Sequence, residues 1–137
     1  MRFVTDVHVR WSDLDVFGHV NNARTLTLLE EARVDWLFDA AARSGADRLT
    51  RGVVVSRLTI EYRRAIGHGV PVTVSMGLAD LARASFTIDY EVLVDGEVAV
   101  VASSVLVPVD PDTFRPRRLD DVEREFLAPY LTSADAS

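Results

Sequence analysis

The sequence predicts an α+β domain in which a curved antiparallel sheet of about five strands wraps round one long central helix, with a short helix at the C-terminal end. Three observations predict it. A single strand pattern precedes a long run without Gly or Pro, from Ala23 to about Arg43. Four strand patterns follow that run, between Val53 and Val107. The helical run is apolar along one side, and such a helix needs a sheet to cover it. With 137 residues, 48% of them hydrophobic, the chain can bury one core but not two independent ones. Residues 1–137 are therefore expected to form one domain.

The first strand is read from Phe3 to Trp11, where Val7, Val9 and Trp11 alternate with Asp6, His8 and Arg10. The turn-rich SDLDVFGHVNN follows. In the helix, Leu26, Leu29, Trp36, Leu37 and Ala40 recur at three- and four-residue steps. Asn21 or Asn22 serves as its N-cap, and Gly45 as a C-cap glycine behind a cation in the last turn. Val53 to Ile66 is rich in β-branched and aromatic residues, and Gly67 to Pro71 reads as a loop. Two alternating strands come next, one through Val70, Val72, Val74, Met76 and Leu78, the other through Phe86, Ile88, Tyr90, Val92 and Val94. Asp95-Gly96 is a two-residue hairpin turn, so the strand from Glu97 to Val107 returns antiparallel. That strand is apolar on both faces and is expected at the centre of the sheet. Pro108, Pro111 and Pro116 end the pattern, and Leu119 to Leu131 reads as a short amphipathic helix. A curved sheet of this kind leaves an edge strand, so pairing of two copies edge to edge is expected.

Composition excludes several chemistries. Without cysteine there is no disulfide framework, thiolate zinc site or cysteine nucleophile. The 15 basic residues are all Arg, which removes lysine Schiff-base chemistry. A net charge of −6 argues against sequence-independent nucleic-acid binding, which relies on many cationic contacts. The opening MRFVTDVHVRW lacks the apolar core of a signal peptide, and the longest mostly apolar run, Val98 to Val109, is too short to span a bilayer. A cytoplasmic protein without membrane or nucleic-acid partners is expected. His8 and His68 are isolated and no metal constellation is visible. Ser12, Ser56 and Ser104 lack the context of a serine hydrolase.

The unusual stretch is Trp11-Ser-Asp13-Leu-Asp15-Val-Phe-Gly18-His19-Val-Asn21-Asn22, which holds the only two Asn of the chain. Residue by residue, Asp, Gly and Asn are what turns and N-caps use. Together they set a carboxylate beside a helix N-terminus, whose unpaired N–H groups can polarise a carbonyl oxygen.

The segment WSDLDVFGHVNNARTLTLLEEARVDWL resembles the signature of hotdog-fold thioesterases of the 4-hydroxybenzoyl-CoA thioesterase type, in particular their long-chain acyl-CoA and acyl-ACP branches. The later IEYRRAIGHGVPVTV is similar to the family's second strand, turn and third strand, so the resemblance spans the chain. It implies a hotdog fold and hydrolysis of a fatty or aromatic acyl-CoA to free acid and CoA. By position, Asp15 matches the family's catalytic carboxylate, and Asn22 falls where the helix-start N–H faces the thioester oxygen. His19 matches a histidine implicated in catalysis in the acyl-ACP branch, with a hydrogen-bonded loop histidine as its plainer role. Asp13 reads as structural. Phe17 stands where the plant acyl-ACP enzymes carry an Asn, so their full Asp-Asn-His set is absent. Gly18 is grouped with the substrate-binding residues, as are Arg63 and Arg64, which suit CoA phosphates. Arg115, Arg117 and Arg118 form a second basic cluster, and Glu30 and Glu31 read as helix surface charges.

A thiol of pKa near 8.5 leaves without strong acid assistance. The site therefore needs only to attack and to stabilise, with Asp15 adding to the carbonyl or deprotonating a water. No cofactor is expected beyond coenzyme A as part of the substrate, and the assembly is expected to be a homodimer or homotetramer. The alternatives are an acyl-ACP thioesterase and an acyl-thioester binding domain without turnover.

Overall fold

In the computed structural model, which describes residues 1–132, the alternation at the start forms β1 (Phe3–Val7). It stops short of the predicted strand: Val9 is buried, but Trp11 opens a 3-10 turn (Trp11–Asp13) and is 80% exposed. The cause is Asp13. Its carboxylate accepts the Arg10 N–H at 2.8 Å and the Arg10 guanidinium at 2.9 Å, while its own N–H donates to the Arg10 carbonyl. This ring of bonds tightens the chain and takes Trp11 off the period-2 path.

The central helix runs as α1 (Asn22–Arg33), a π-helical stretch (Val34–Ala40) and α2 (Ala41–Arg43), without a break in helical backbone. Of the two cap candidates, Asn21 is the N-cap, its Oδ1 accepting the Ala23 N–H at 2.9 Å. The helix ends at Gly45, whose N–H donates to the Ala42 carbonyl, with the Ala46 N–H on Ala41. Leu28, Leu29, Ala32, Trp36, Leu37 and Ala41 are buried. Leu26, expected on the apolar stripe, is 37% exposed.

A 3-10 turn (Asp47–Arg51) leads into β2 (Val53–Tyr62), which ends four residues before the predicted Ile66. Then come β3 (Val72–Leu81), β4 (Phe86–Val94) and β5 (Glu97–Pro108). The turn between β4 and β5 has Asp95 at φ 51° and Gly96 at φ 82°. Positive φ at both central residues is what a tight hairpin matched to strand twist requires, and Gly takes it at no steric cost.

The five strands form one antiparallel sheet in the order β1-β3-β4-β5-β2. The strand at the middle is therefore β4, and β5 lies between β4 and the edge strand β2, a correction to its expected place. Val74, Met76, Leu78, Phe86, Ile88, Tyr90, Val92, Val100 and Leu106 point into the same core as the helix residues. This is the hotdog arrangement. Along β2 the apolar Val54, Val55, Leu58 and Tyr62 stay exposed.

After the prolines, α3 (Asp121–Leu127) and a 3-10 turn (Ala128–Tyr130) replace the single predicted helix from Leu119 to Leu131. Asp120 and Glu123 cap each other's N–H groups at 2.8 Å. Arg117 closes on the fully buried Glu123 through two bonds of 2.8 and 2.7 Å.

Removing one partner of a buried pair leaves the other charge uncompensated. Glu123→Ala is expected to cost about 3 kcal/mol, read as a lower urea midpoint at unchanged slope. A loss below about 1 kcal/mol, the worth of an exposed pair, would show that this contact does not hold the C-terminal helix.

Candidate active site

The loop between β1 and the central helix folds back on itself as a small hairpin. Leu14 bridges Val20, the Asp15 N–H donates to the His19 carbonyl at 2.8 Å, and the Asn21 N–H donates to the Asp13 carbonyl at 2.9 Å. At its tip the Gly18 N–H returns to the Asp15 carbonyl at 3.0 Å. Gly18 takes φ 78°, and a Cβ there would meet nothing, so the backbone conformation alone calls for Gly. The effect is to hold Asp15 opposite His19, one short strand away from the start of α1.

Two carboxylates that sit two residues apart have different surroundings. Asp13 is buried, tied to Arg10 and to loop backbone. Asp15 is half-buried; its Oδ1 accepts the Phe17 N–H at 2.9 Å and the His19 N–H at 3.4 Å. Among the described residues no donor reaches Asp15 Oδ2, and the His19 imidazole is exposed without a hydrogen-bond partner. Asp13 thus builds the loop, and Asp15 presents one free oxygen from it.

The first-turn amides of α1 have no acceptors within the helix. Asn21 takes that of Ala23, which leaves the Asn22 N–H without a partner among the described residues. The Asn22 carbonyl accepts the Tyr62 hydroxyl at 2.7 Å, so the end of β2 lies against the start of the helix. Partial desolvation holds the phenol of the otherwise exposed Tyr62 above its ordinary pKa, which keeps the hydroxyl a donor. Tyr62 escaped sequence reasoning because a tyrosine in a strand pattern reads as packing.

The segment after β2 runs beside the loop: the Val20 N–H donates to the Ile66 carbonyl at 2.7 Å and His19 bridges Gly67. It carries Arg63 and Arg64, both exposed, paired with Glu61 and Glu97 respectively. Further along the chain, His68 packs edge-on to Trp11. Glu30 and Glu31 are exposed, as expected of helix surface charges. Among the described residues no group of three or more His, Asp or Glu is arranged to hold a metal ion, and no helix is long and apolar enough to cross a membrane.

A five-stranded antiparallel sheet wrapped on one long helix, with a tight loop leading into the helix start, defines the hotdog class. Known proteins agree. Residues 9–129 match the model of the thioesterase-like superfamily, and the chain belongs to that family. It is 33% identical to the long-chain acyl-CoA thioesterase FadM of Escherichia coli over 90% of this chain and 95% of FadM. A predicted thioesterase from Bacillus stearothermophilus superposes with a TM-score of 0.81 at 28% identity, covering 96% of this chain and 97% of that one. A thioesterase from Thermus thermophilus, crystallised with coenzyme A and Zn, gives 0.78 at 31%, covering 93% and 92%.

The Arg10 guanidinium holds the Asp13 carboxyl below the usual carboxylate range, against the opposing effect of burial. A carboxyl lowered on folding stabilises fully above its unfolded value near pH 4, and the contribution fades as pH falls through the folded value. Asp13→Asn is expected to lose about 1–3 kcal/mol at neutral pH and to show a shallower decline of stability below about pH 4. Urea unfolding at a series of pH values measures both, and equal acid slopes for the two proteins would remove Asp13 from this role.

Proposed function

We propose that this chain hydrolyses an acyl-CoA to the free acid and CoA, with Asp15 attacking or activating water and the Asn22 N–H stabilising the oxyanion. The observation that carries the reading is the pairing of a free Asp15 oxygen with an unoccupied helix-start amide at the mouth of one loop. The acyl-CoA specificity of FadM and the coenzyme A in the Thermus thermophilus crystal support CoA as the thiol.

On the nucleophilic route, Asp15 adds to the thioester carbon, the C–S bond breaks with its electron pair on sulfur, and water then cleaves the mixed anhydride. On the general-base route, Asp15 takes a proton from the water that attacks. In both, negative charge develops on the carbonyl oxygen, where a fixed N–H at a helix start stabilises it most. The exposed His19 imidazole protonates the departing thiolate or orders the water, and Gly18 keeps the loop tip clear for the thioester.

Arg63 and Arg64 engage the CoA phosphates. Their present ion pairs are exposed, and such pairs contribute little, about 0–1 kcal/mol, so exchanging them for phosphate costs little. The same carboxylate and amide serve an acyl carrier protein equally well, and a carrier-protein substrate is the result expected if no acyl-CoA is turned over.

The assembly is a homo-oligomer built on β2. That edge strand offers unpaired backbone groups together with exposed Val54, Val55, Leu58 and Tyr62, and monomers rarely leave such an edge uncovered.

Free-thiol release from short, medium and long acyl-CoAs and a benzoyl-type CoA tests the chemistry. Asp15→Asn and Asp15→Ala are expected to lose at least about 100-fold in kcat with the fold intact by circular dichroism; wild-type rates in either would sink the role of Asp15. For the assembly, Leu58→Asp is expected to shift sedimentation toward monomer, and an unchanged species would put the interface elsewhere.

A further inference from the structure

The central helix carries a charge that the hydrolytic chemistry does not use. Arg33, at the end of α1, keeps only 15% of its side chain exposed. Its Nη1 donates to the Tyr90 hydroxyl at a long 3.3 Å, and that hydroxyl is closely hydrogen-bonded to buried Ser104. Both of these partners are neutral, burial holding the Tyr90 phenol above its ordinary pKa. The nearest carboxylate, Glu30, stands 3.9 Å away and is 69% exposed, which makes it a weak partner. A guanidinium has five donors in a fixed fork, and most of these are unspent.

Arg33 also lines a cavity of about 440 Å³ between the helix and β2. Glu30 lies at its rim, and the remaining lining is apolar, from Val34, Leu37 and Phe38 on the helix to Val53–Val55 on the strand and Leu106. Of the helix residues at this cavity, Glu30 and Arg33 end α1, and Val34, Leu37 and Phe38 belong to the π-helical stretch, a departure from α geometry that is frequent at functional sites. Arg33 follows Asn22 by eleven residues, three turns and ~16 Å along the axis, on nearly the same face. Beside that face β2 runs the whole way, with Tyr62 on the Asn22 carbonyl at one end and Val55 in the cavity at the other.

We infer that this cavity takes the far end of the acyl chain and that Arg33 selects acyl groups bearing a carboxylate there. The inference rests on the reading of the loop as the hydrolytic site. A thioester held at the helix start directs an extended medium-chain acyl group along the helix toward Arg33. Apolar walls suit the methylene chain, and the guanidinium suits a terminal carboxylate through bidentate, charge-assisted hydrogen bonds. A plain alkyl chain would instead leave the fork desolvated and unpaired, which is costly.

The test compares dodecanedioyl-CoA, with one free carboxylate, against dodecanoyl-CoA and ω-hydroxydodecanoyl-CoA, in wild type and Arg33→Met. Wild type is expected to prefer the carboxylate by about tenfold in kcat/KM, as one charged hydrogen-bonded contact provides, with the hydroxyl intermediate. In Arg33→Met the ratio is expected to collapse to about one, mainly through KM. Equal or better use of dodecanoyl-CoA by wild type overturns the inference, as does a ratio that survives Arg33→Met. Displacement of a fluorescent fatty-acid probe from wild type by dodecanedioate and dodecanoate is read without turnover. Tighter binding of the diacid upholds the selection even if no thioester is cleaved, and tighter binding of the monoacid overturns it.

Discussion

A helix can hide only as much apolar surface as its surroundings cover, and here Leu28, Leu29, Ala32, Trp36, Leu37 and Ala41 are hidden almost completely. That burial, worth roughly 1.5–3 kcal/mol for each large side chain, fixes the helix across the concave face of the sheet. The remaining geometry follows from it. A five-stranded sheet wrapped on one helix must leave two edge strands, β1 and β2, and the helix axis must point its first turn at the rim. The open amides at Asn22, the loop that reaches them and the exposed β2 edge are all consequences of where the helix lies.

The same constraint explains why the helix has two chemically different regions. At the helix start the backbone supplies partial positive charge from unpaired N–H groups, and it acts within the first turn only. Three turns further on, any positive charge must come from a side chain, and Arg33 is the one turned inward. Between the two ends the wall is apolar because it is the margin of the core. The proposed hydrolytic end and the proposed selective end thus lie on one rigid element, which keeps their separation constant when the flanking loop adjusts.

Much of this was legible in the sequence, and the misreadings have physical causes. Period-2 runs at Phe3, Val72 and Phe86, the β-branched run at Val53, the Asp95-Gly96 turn and the uninterrupted helical run are local signals, and all five strands and the helix formed where these stood. The extent of β1 was misread because Trp11 continues the alternation while the Arg10–Asp13 bonds, a contact that periodicity does not encode, turn the chain away. The position of β5 was misread because an apolar strand is equally consistent with the centre and with its neighbour. Leu26 fits the helical stripe, yet the sheet does not extend over it. The motif singled out the loop residues, whereas Arg33, on which the inference about the cavity rests, drew no attention. Its signal was present: Leu29, Arg33 and Leu37 are spaced i, i+4, i+8, which puts a cation in register with two buried leucines.

Asp13 and Asp15 show how a few residues divide structural and chemical work. Their side chains are identical, and their separation places them on one turn of one loop. The Asp13 carboxylate takes its donors, among the described residues, from Arg10 before it, so both of its oxygens are engaged and it is drawn inward. Among the described residues Asp15 receives donors only from residues after it, Phe17 and His19, and these converge on a single oxygen. The asymmetry follows from chain direction: the loop is tied at Asp13 to the residue that precedes it, and that tie leaves Asp15 half-buried with one oxygen unengaged among the described residues. The buried carboxylate therefore sets the geometry of the loop from which the half-buried one is presented.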